Sequence, residues 1–209
     1  MPNIVELILG QNNLSGGIPD TLSNLSSLMV LSLTTNMLGS ALPSNIGDAL
    51  PNLQYLYLAQ NNFVGRIPTS LGNPSSLEII DLSVNYFTGE IPSSFGNLSQ
   101  LQILNLEVNM LEAGDSEGWQ FFDALANCHS LNKLSVSDNI LHKSIPNSIS
   151  NLSTTLQYLL MGWNNLSGIV PPTIEKLSGL IKLSLVNNNL TGTIEEWVGK
   201  MINLERLNL

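Results

Sequence analysis

The most regular chemistry in the sequence belongs to eight asparagines: Asn12, Asn36, Asn61, Asn85, Asn109, Asn139, Asn164 and Asn188. They are separated by 24, 25, 24, 24, 30, 25 and 24 residues. A side-chain amide both donates and accepts hydrogen bonds, so a row of amides at a fixed interval can tie successive turns of backbone together. Groups suited to covalent chemistry are sparse by comparison. Cys128 is the single cysteine, and the two histidines, His129 and His142, have no partner at ligand spacing. Asp115, Glu117 and Asp123 match no calcium loop, and the preference of carboxylates for a helix N-terminus accounts for the first two. No G-x-S-x-G, H-E-x-x-H or phosphate-binding glycine loop occurs. The residues therefore point to recognition, with no catalytic group, no metal site and no cofactor expected.

Composition narrows what could be recognised. The 209 residues carry 7 Lys+Arg against 16 Asp+Glu, a formal charge of −9, which disfavours a grip on a phosphate backbone and hence nucleic acid. Charged residues are only 11% of the chain, so its hydration rests on Asn, Ser, Thr and Gln. No run of about 18 apolar residues suits a membrane span. A single cysteine allows no internal disulfide, and Cys128, three residues before Leu131, reads as a small buried hydrophobe.

The asparagines sit in a recurring template, L-x-x-L-x-L-x-x-N-x-L-x-G-x-I-P. Eight complete units begin at 4, 28, 53, 77, 101, 131, 156 and 180, and a truncated ninth begins at 204. Within each, alternating apolar positions such as Leu56 and Leu58 predict a short half-buried strand. Such a strand cannot bury its apolar side alone, whereas parallel neighbours in a stack can. The asparagine then turns the chain. Pro19, Pro43, Pro68, Pro92, Pro146 and Pro171 follow at a constant offset, ending an edge-like segment and leading into one loose helical turn. The thirty-residue unit has an extra stretch from Glu112 to Asn127, where the spacing of Trp119, Phe122 and Ala126 predicts an outer helix near 117–127. The expected fold is an α/β solenoid over residues 1–209, with a parallel sheet on its concave face and 3₁₀-like turns on its convex face.

These repeats resemble the leucine-rich repeat family, and the 24-residue unit containing I-P is similar to its plant extracellular class. Two segments carry a finer resemblance: Trp119-Gln120-Phe121-Phe122-Asp123-Ala124-Leu125-Ala126-Asn127-Cys128 after Leu111-Glu112-Ala113-Gly114-Asp115, and Asn151-Leu152-Ser153-Thr154-Thr155-Leu156. Both resemble ectodomains of plant pattern-recognition receptor-like Ser/Thr kinases, the group with the rice bacterial-blight receptor and the elongation-factor-Tu receptor. The resemblance implies a right-handed superhelix at the extracellular face of the plasma membrane or in the apoplast. It also implies a peptide or protein ligand, and a co-receptor leucine-rich repeat kinase as partner. Against that group's pattern, no signal peptide, cap, membrane helix or kinase is expected within residues 1–209. Met1-Pro2-Asn3-Ile4 aligns with Leu50-Pro51-Asn52-Leu53, so the chain reads as an internal slice of an ectodomain or a truncated gene product. Two other roles fit the same repeats: a secreted inhibitor of pathogen cell-wall hydrolases, and a non-signalling decoy.

On such a sheet the residues flanking the strand leucines form the partner surface. The candidates are Tyr55, Tyr57, Ile79, Asp81, Ile103, Asn105, Glu107, Lys133, Tyr158, Leu160, Trp163 and Lys182. Aromatic side chains are favoured interface anchors. Charge changes sign along the row, from Glu6, Asp81 and Glu107 to Lys133, Lys182 and Arg206, which would orient an oppositely polarised ligand. Six N-x-S/T acceptors lie at Asn13, Asn24, Asn97, Asn151, Asn165 and Asn189; of these, Asn24, Asn97 and Asn151 share one place on the outer side of the unit.

Overall fold

The computed structural model describes residues 3–194 and 196–209. Each unit contributes one three-residue strand, and the nine strands lie parallel, in chain order, in a single sheet. They are Glu6–Ile8, Val30–Ser32, Tyr55–Tyr57, Ile79–Asp81, Ile103–Asn105, Lys133–Ser135, Tyr158–Leu160, Lys182–Ser184 and Arg206–Asn208. The central residue of each strand points into the core, and Leu31, Leu56, Ile80, Leu104, Leu134, Leu159 and Leu183 are fully buried. Such small strands survive because each buries its apolar side chain against the units on either side.

The row of asparagines lies at the turn after these strands. Asn85 shows the pattern: its Oδ1 accepts from Phe63 N of the preceding unit at 3.0 Å. Its Nδ2 meets the carbonyls of Leu58 in that unit (3.0 Å) and of Leu82 and Ser83 in its own (both 3.1 Å). The same bonds recur at Asn61, Asn109, Asn139, Asn164 and Asn188. Asn61, Asn85, Asn109, Asn139 and Asn164 are buried, Asn36 and Asn188 are half-buried, and Asn12 is exposed.

After the turn the chain forms further strands. Ser15–Gly16, Met37–Ser40, Asn62–Arg66, Tyr86–Glu90 and Met110–Glu112 make a five-stranded parallel sheet; His142–Ser144, Asn165–Gly168 and Asn189–Leu190 make a three-stranded one. The sequence reading anticipated only an edge-like segment here. The alternation in Asn62-Phe63-Val64-Gly65-Arg66 was its signal, with Phe63 buried between exposed neighbours. The break between the two sheets falls at the thirty-residue unit.

The outer side carries 3₁₀ turns at Asp20–Asn24, Thr69–Gly72, Ser93–Asn97, Asn147–Asn151 and Pro172–Lys176, each entered from an extended proline. Gly47, in the helical turn Ile46–Ala49 on the same side, and Gly72 and Gly96 let successive units stack closely: a Cβ on Gly47 would run into the Ser70 carbonyl. The helix expected over 117–127 forms over Gln120–Leu125 and is flanked by turns at 116–119 and 126–127. Asp115 Oδ1 accepts from Glu117 N (3.1 Å) and Gly118 N (2.9 Å), capping an entry turn that is closed by Trp119 N on the Asp115 carbonyl at 3.2 Å and leads into the helix. Phe121, Phe122 and Leu125 are buried, and Trp119 stacks on Phe122 at 5.2 Å. Cys128 is fully buried with its Sγ 3.3 Å from the Phe95 carbonyl, and burial pushes its thiol up to about 11.

Candidate ligand-binding face

Strand register turns the sequence candidates into two rows on the concave face. Successive pairing aligns Glu6, Val30, Tyr55, Ile79, Ile103, Lys133, Tyr158, Lys182 and Arg206 in one row. Two residues on, a second row runs through Ile8, Ser32, Tyr57, Asp81, Asn105, Ser135, Leu160, Ser184 and Asn208. Neighbouring side chains in a row are about 4.8 Å apart, the spacing of hydrogen-bonded strands. Tyr55, Tyr57, Ile79, Asp81, Ile103, Glu107, Lys133, Tyr158, Leu160 and Lys182 are each half-buried by their neighbours, leaving edges rather than whole side chains to a ligand.

Two candidates sit differently. Asn105 is 8% exposed; its amide donates to Asp81 Oδ1 at 3.1 Å and its own Oδ1 accepts from Glu107 N at 3.4 Å. It therefore positions Asp81. Trp163 lies beyond the strand at a turn residue with φ of 55°, 61% exposed, on the rim beside the rows. Val84 and Val108 hold the equivalent place in units four and five with the same left-handed backbone, an uncommon conformation for a β-branched residue.

The carboxylates on this face are held by neutral donors. Asp81 Oδ1 accepts from Ser83 Oγ at 2.6 Å, Glu107 Oε2 from Ser135 Oγ at 2.9 Å. Glu78, which the sequence reading did not single out, accepts from Tyr55 Oη at 3.1 Å and Gln102 Nε2 at 3.0 Å. That bond raises the Tyr55 phenol above its ordinary value; burial, then Asp81, raises Tyr57. Toward the other end stand Lys133, Lys182 and Arg206, and among the described residues the one salt bridge joins Lys200 to Glu175 at 3.0 Å, away from them. The face is thus a field of ordered acceptors followed by unpaired cations.

A second feature escaped the sequence reading. The residue after each ladder asparagine is exposed and apolar in units two, four, five and six (Met37, Tyr86, Met110, Ile140), but is an acceptor asparagine in units one, seven and eight (Asn13, Asn165, Asn189). The signal lay in one column of the repeat. All six glycosylation acceptors are exposed. Among the described residues no group of three or more His, Cys, Asp or Glu is placed to hold a metal, and no helix is long and apolar enough to cross a membrane.

Family models described as leucine rich repeat match residues 2–63 and 51–111, and again 130–152, 155–177 and 179–201. The chain belongs to the leucine-rich repeat family. Among curated proteins, the receptor kinase-like protein Xa21 of Oryza sativa subsp. japonica is 39% identical over 78 residues, which are 37% of this chain and 8% of that protein. The chain is thus similar to a small part of that relative's length. Among solved structures, the plant peptide hormone receptor RGFR1 in complex with RGF2 superposes with a TM-score of 0.86 at 38% identity, covering 94% of this chain and 30% of that one. The Arabidopsis receptor kinase HAESA, in complex with the peptide hormone IDA and the co-receptor SERK1, superposes at 0.87 and 28% identity, covering 97% and 33%. The expected family and solenoid fold are both borne out.

Proposed function

We propose that this leucine-rich repeat chain is a recognition segment of a plant receptor-like kinase ectodomain, binding an extended peptide or protein segment along its concave face outside the cell. One observation carries the reading: the concave face passes from preorganised carboxylates, Asp81 in one row with Glu78 and Glu107 just outside the strands, to Lys133, Lys182 and Arg206, which make no salt bridge among the described residues. From unit four to unit nine is five strand spacings, about 24 Å, the length of roughly seven extended residues. Tyr55, Tyr57, Ile79 and Ile103 supply apolar edges at the acidic end, and Tyr158 and Leu160 between the cations. A ligand basic toward unit four and acidic toward unit nine satisfies both ends. The relatives' complexes with peptide hormones and a co-receptor support this reading, and a co-receptor kinase is the partner it implies.

The test is selection of a random displayed peptide library on the secreted chain and on a K133E/K182E variant. The expected result is a polarised consensus that loses its acidic end on the variant. An unchanged consensus would sink the concave-face assignment. Alanine at Tyr55 and Tyr57 together should weaken the selected peptide at least tenfold.

A further inference from the structure

Where the second sheet breaks, a groove of about 440 Å³ opens between the insert of unit five and the outer side of unit six, lined in part by Asp115, Trp119, Asp123, Lys143 and Ser148. Three features there are unexplained by the repeat. Trp119 is buried, yet its Nε1 has no hydrogen-bond partner. Lys143 stands exposed with φ of 64° at the unit position where Gly16, Gly65, Gly89, Gly168 and Gly192, and otherwise only the small Ser40 among the described residues, adopt positive φ. A lysine kept where glycine is the easy choice sets a flexible cation at the groove. Third, Asn151 Nδ2 donates to Asp123 Oδ1 at 3.3 Å, and Asn151-Leu152-Ser153 is a glycosylation acceptor. The atom on which a sugar would be built is thus already turned to the groove wall. Asn24 and Asn97, at the same place in units one and four, are exposed, and among the described residues neither amide makes such a bond.

We propose that this groove is the seat of an N-linked glycan on Asn151, whose first N-acetylglucosamine units pack between the insert and unit six. The attachment transfers an oligosaccharide from a polyisoprenyl pyrophosphate donor. The donor's C1–O bond breaks, a C1–Nδ2 bond forms, and one amide proton departs with the lipid pyrophosphate. One N–H remains on Nδ2, enough to keep the bond to Asp123. Sugar hydroxyls then donate to Asp115 and Asp123, acetamido or ring oxygens accept from Lys143, and the sugar packs against the Trp119 wall. The glycan becomes a strut bracing the interruption between the two lateral sheets. This inference rests on the reading that the chain is exported.

The test expresses the full chain behind a secretion signal in plant or insect cells and maps occupancy at all six acceptors by mass spectrometry. Native endoglycosidase digestion then compares Asn151 with Asn24 and Asn97, and amide exchange is followed over 115–123. The seat predicts cleavage at Asn151 at least tenfold slower than at the other two, and exchange over 115–123 several-fold faster in Asn151→Gln. Asn24→Gln and Asn97→Gln should leave that segment unchanged. Occupied Asn151 with cleavage as fast as its counterparts and unchanged exchange overturns the seat while leaving export standing. Asn151 bare among occupied acceptors does the same. All six bare overturns the export reading along with it.

Discussion

Asn85 and Asn12 hold the same place in units of nearly the same sequence, yet they do different work. Asn85 is 6% exposed and bonded on both sides of its amide, to the unit before and to its own turn. Asn12 is exposed and donates only to carbonyls of its own turn, Leu9 and Gly10, each at 3.0 Å. The glycines on the outer turns divide in the same way. Gly47, Gly72 and Gly96 have no room for a Cβ, whereas Gly199, at the corresponding place in unit eight, meets nothing within 4 Å. The motif alone therefore does not set the energy of a position. The stacked neighbour does, by supplying burial and partners.

The largest break in this comparison should come from Gly47→Ala. The added methyl meets the Ser70 backbone, which cannot move aside as a side chain can, and a loss of about 4 kcal/mol is expected by chemical denaturation. Gly199→Ala should instead be neutral or stabilising by roughly 0.5–1 kcal/mol, since it lies within the helical turn Trp197–Lys200. A comparable loss in both variants would remove the distinction. Next in size, Asn85→Ala takes the acceptor from the buried Phe63 N–H and leaves the Leu58 and Leu82 carbonyls with only the amides of Asn61 and Asn109, at about 3 kcal/mol, and speeds amide exchange at Phe63.

Cys128 sharpens the picture of the interior through pH. Burial holds its thiol protonated up to about 11, against 9.0 in the unfolded chain. The folded state keeps the proton longer, so this contribution is intact below pH 9.0 and is lost as pH rises through about 11. The expected decline is about 3 kcal/mol across that window, and Cys128→Ala should abolish it. The smallest effect belongs to Asn12→Ala, within about 0.5 kcal/mol. Should it equal Asn85→Ala, the amide row would owe its stability to local turns alone.

Much of this architecture was legible because the repeat is periodic. Each strand leucine and each ladder asparagine recurs at a spacing that only stacking can use, and the resemblance in the insert points to plant receptor kinases. The lateral sheets were missed because segments such as Ser15–Gly16 and Met110–Glu112 are too short for alternation to stand out, and they form only when a neighbour offers an edge. The insert's apolar spacing suggested a longer helix than Gln120–Leu125, since apolar periodicity runs through the capped entry turn and the exit turn as well as the helix between them. On the concave face, composition identified which residues flank the strands but not their partners, so Asn105 looked like a contact residue and Glu78 went unremarked.

What the sequence by itself determined was the period: a coil of about 24 residues, an apolar side to be covered, and an amide at each turn, because these depend on residue type and spacing within one unit. What only the tertiary structure decided was the partnership between units. It set which carboxylates are held and which cations stand unpaired, where the lateral sheet breaks, and which asparagine turns toward a groove. Those outcomes depend on side chains roughly 24 or more residues apart meeting at strand spacing, a proximity that exists only once the coils are stacked.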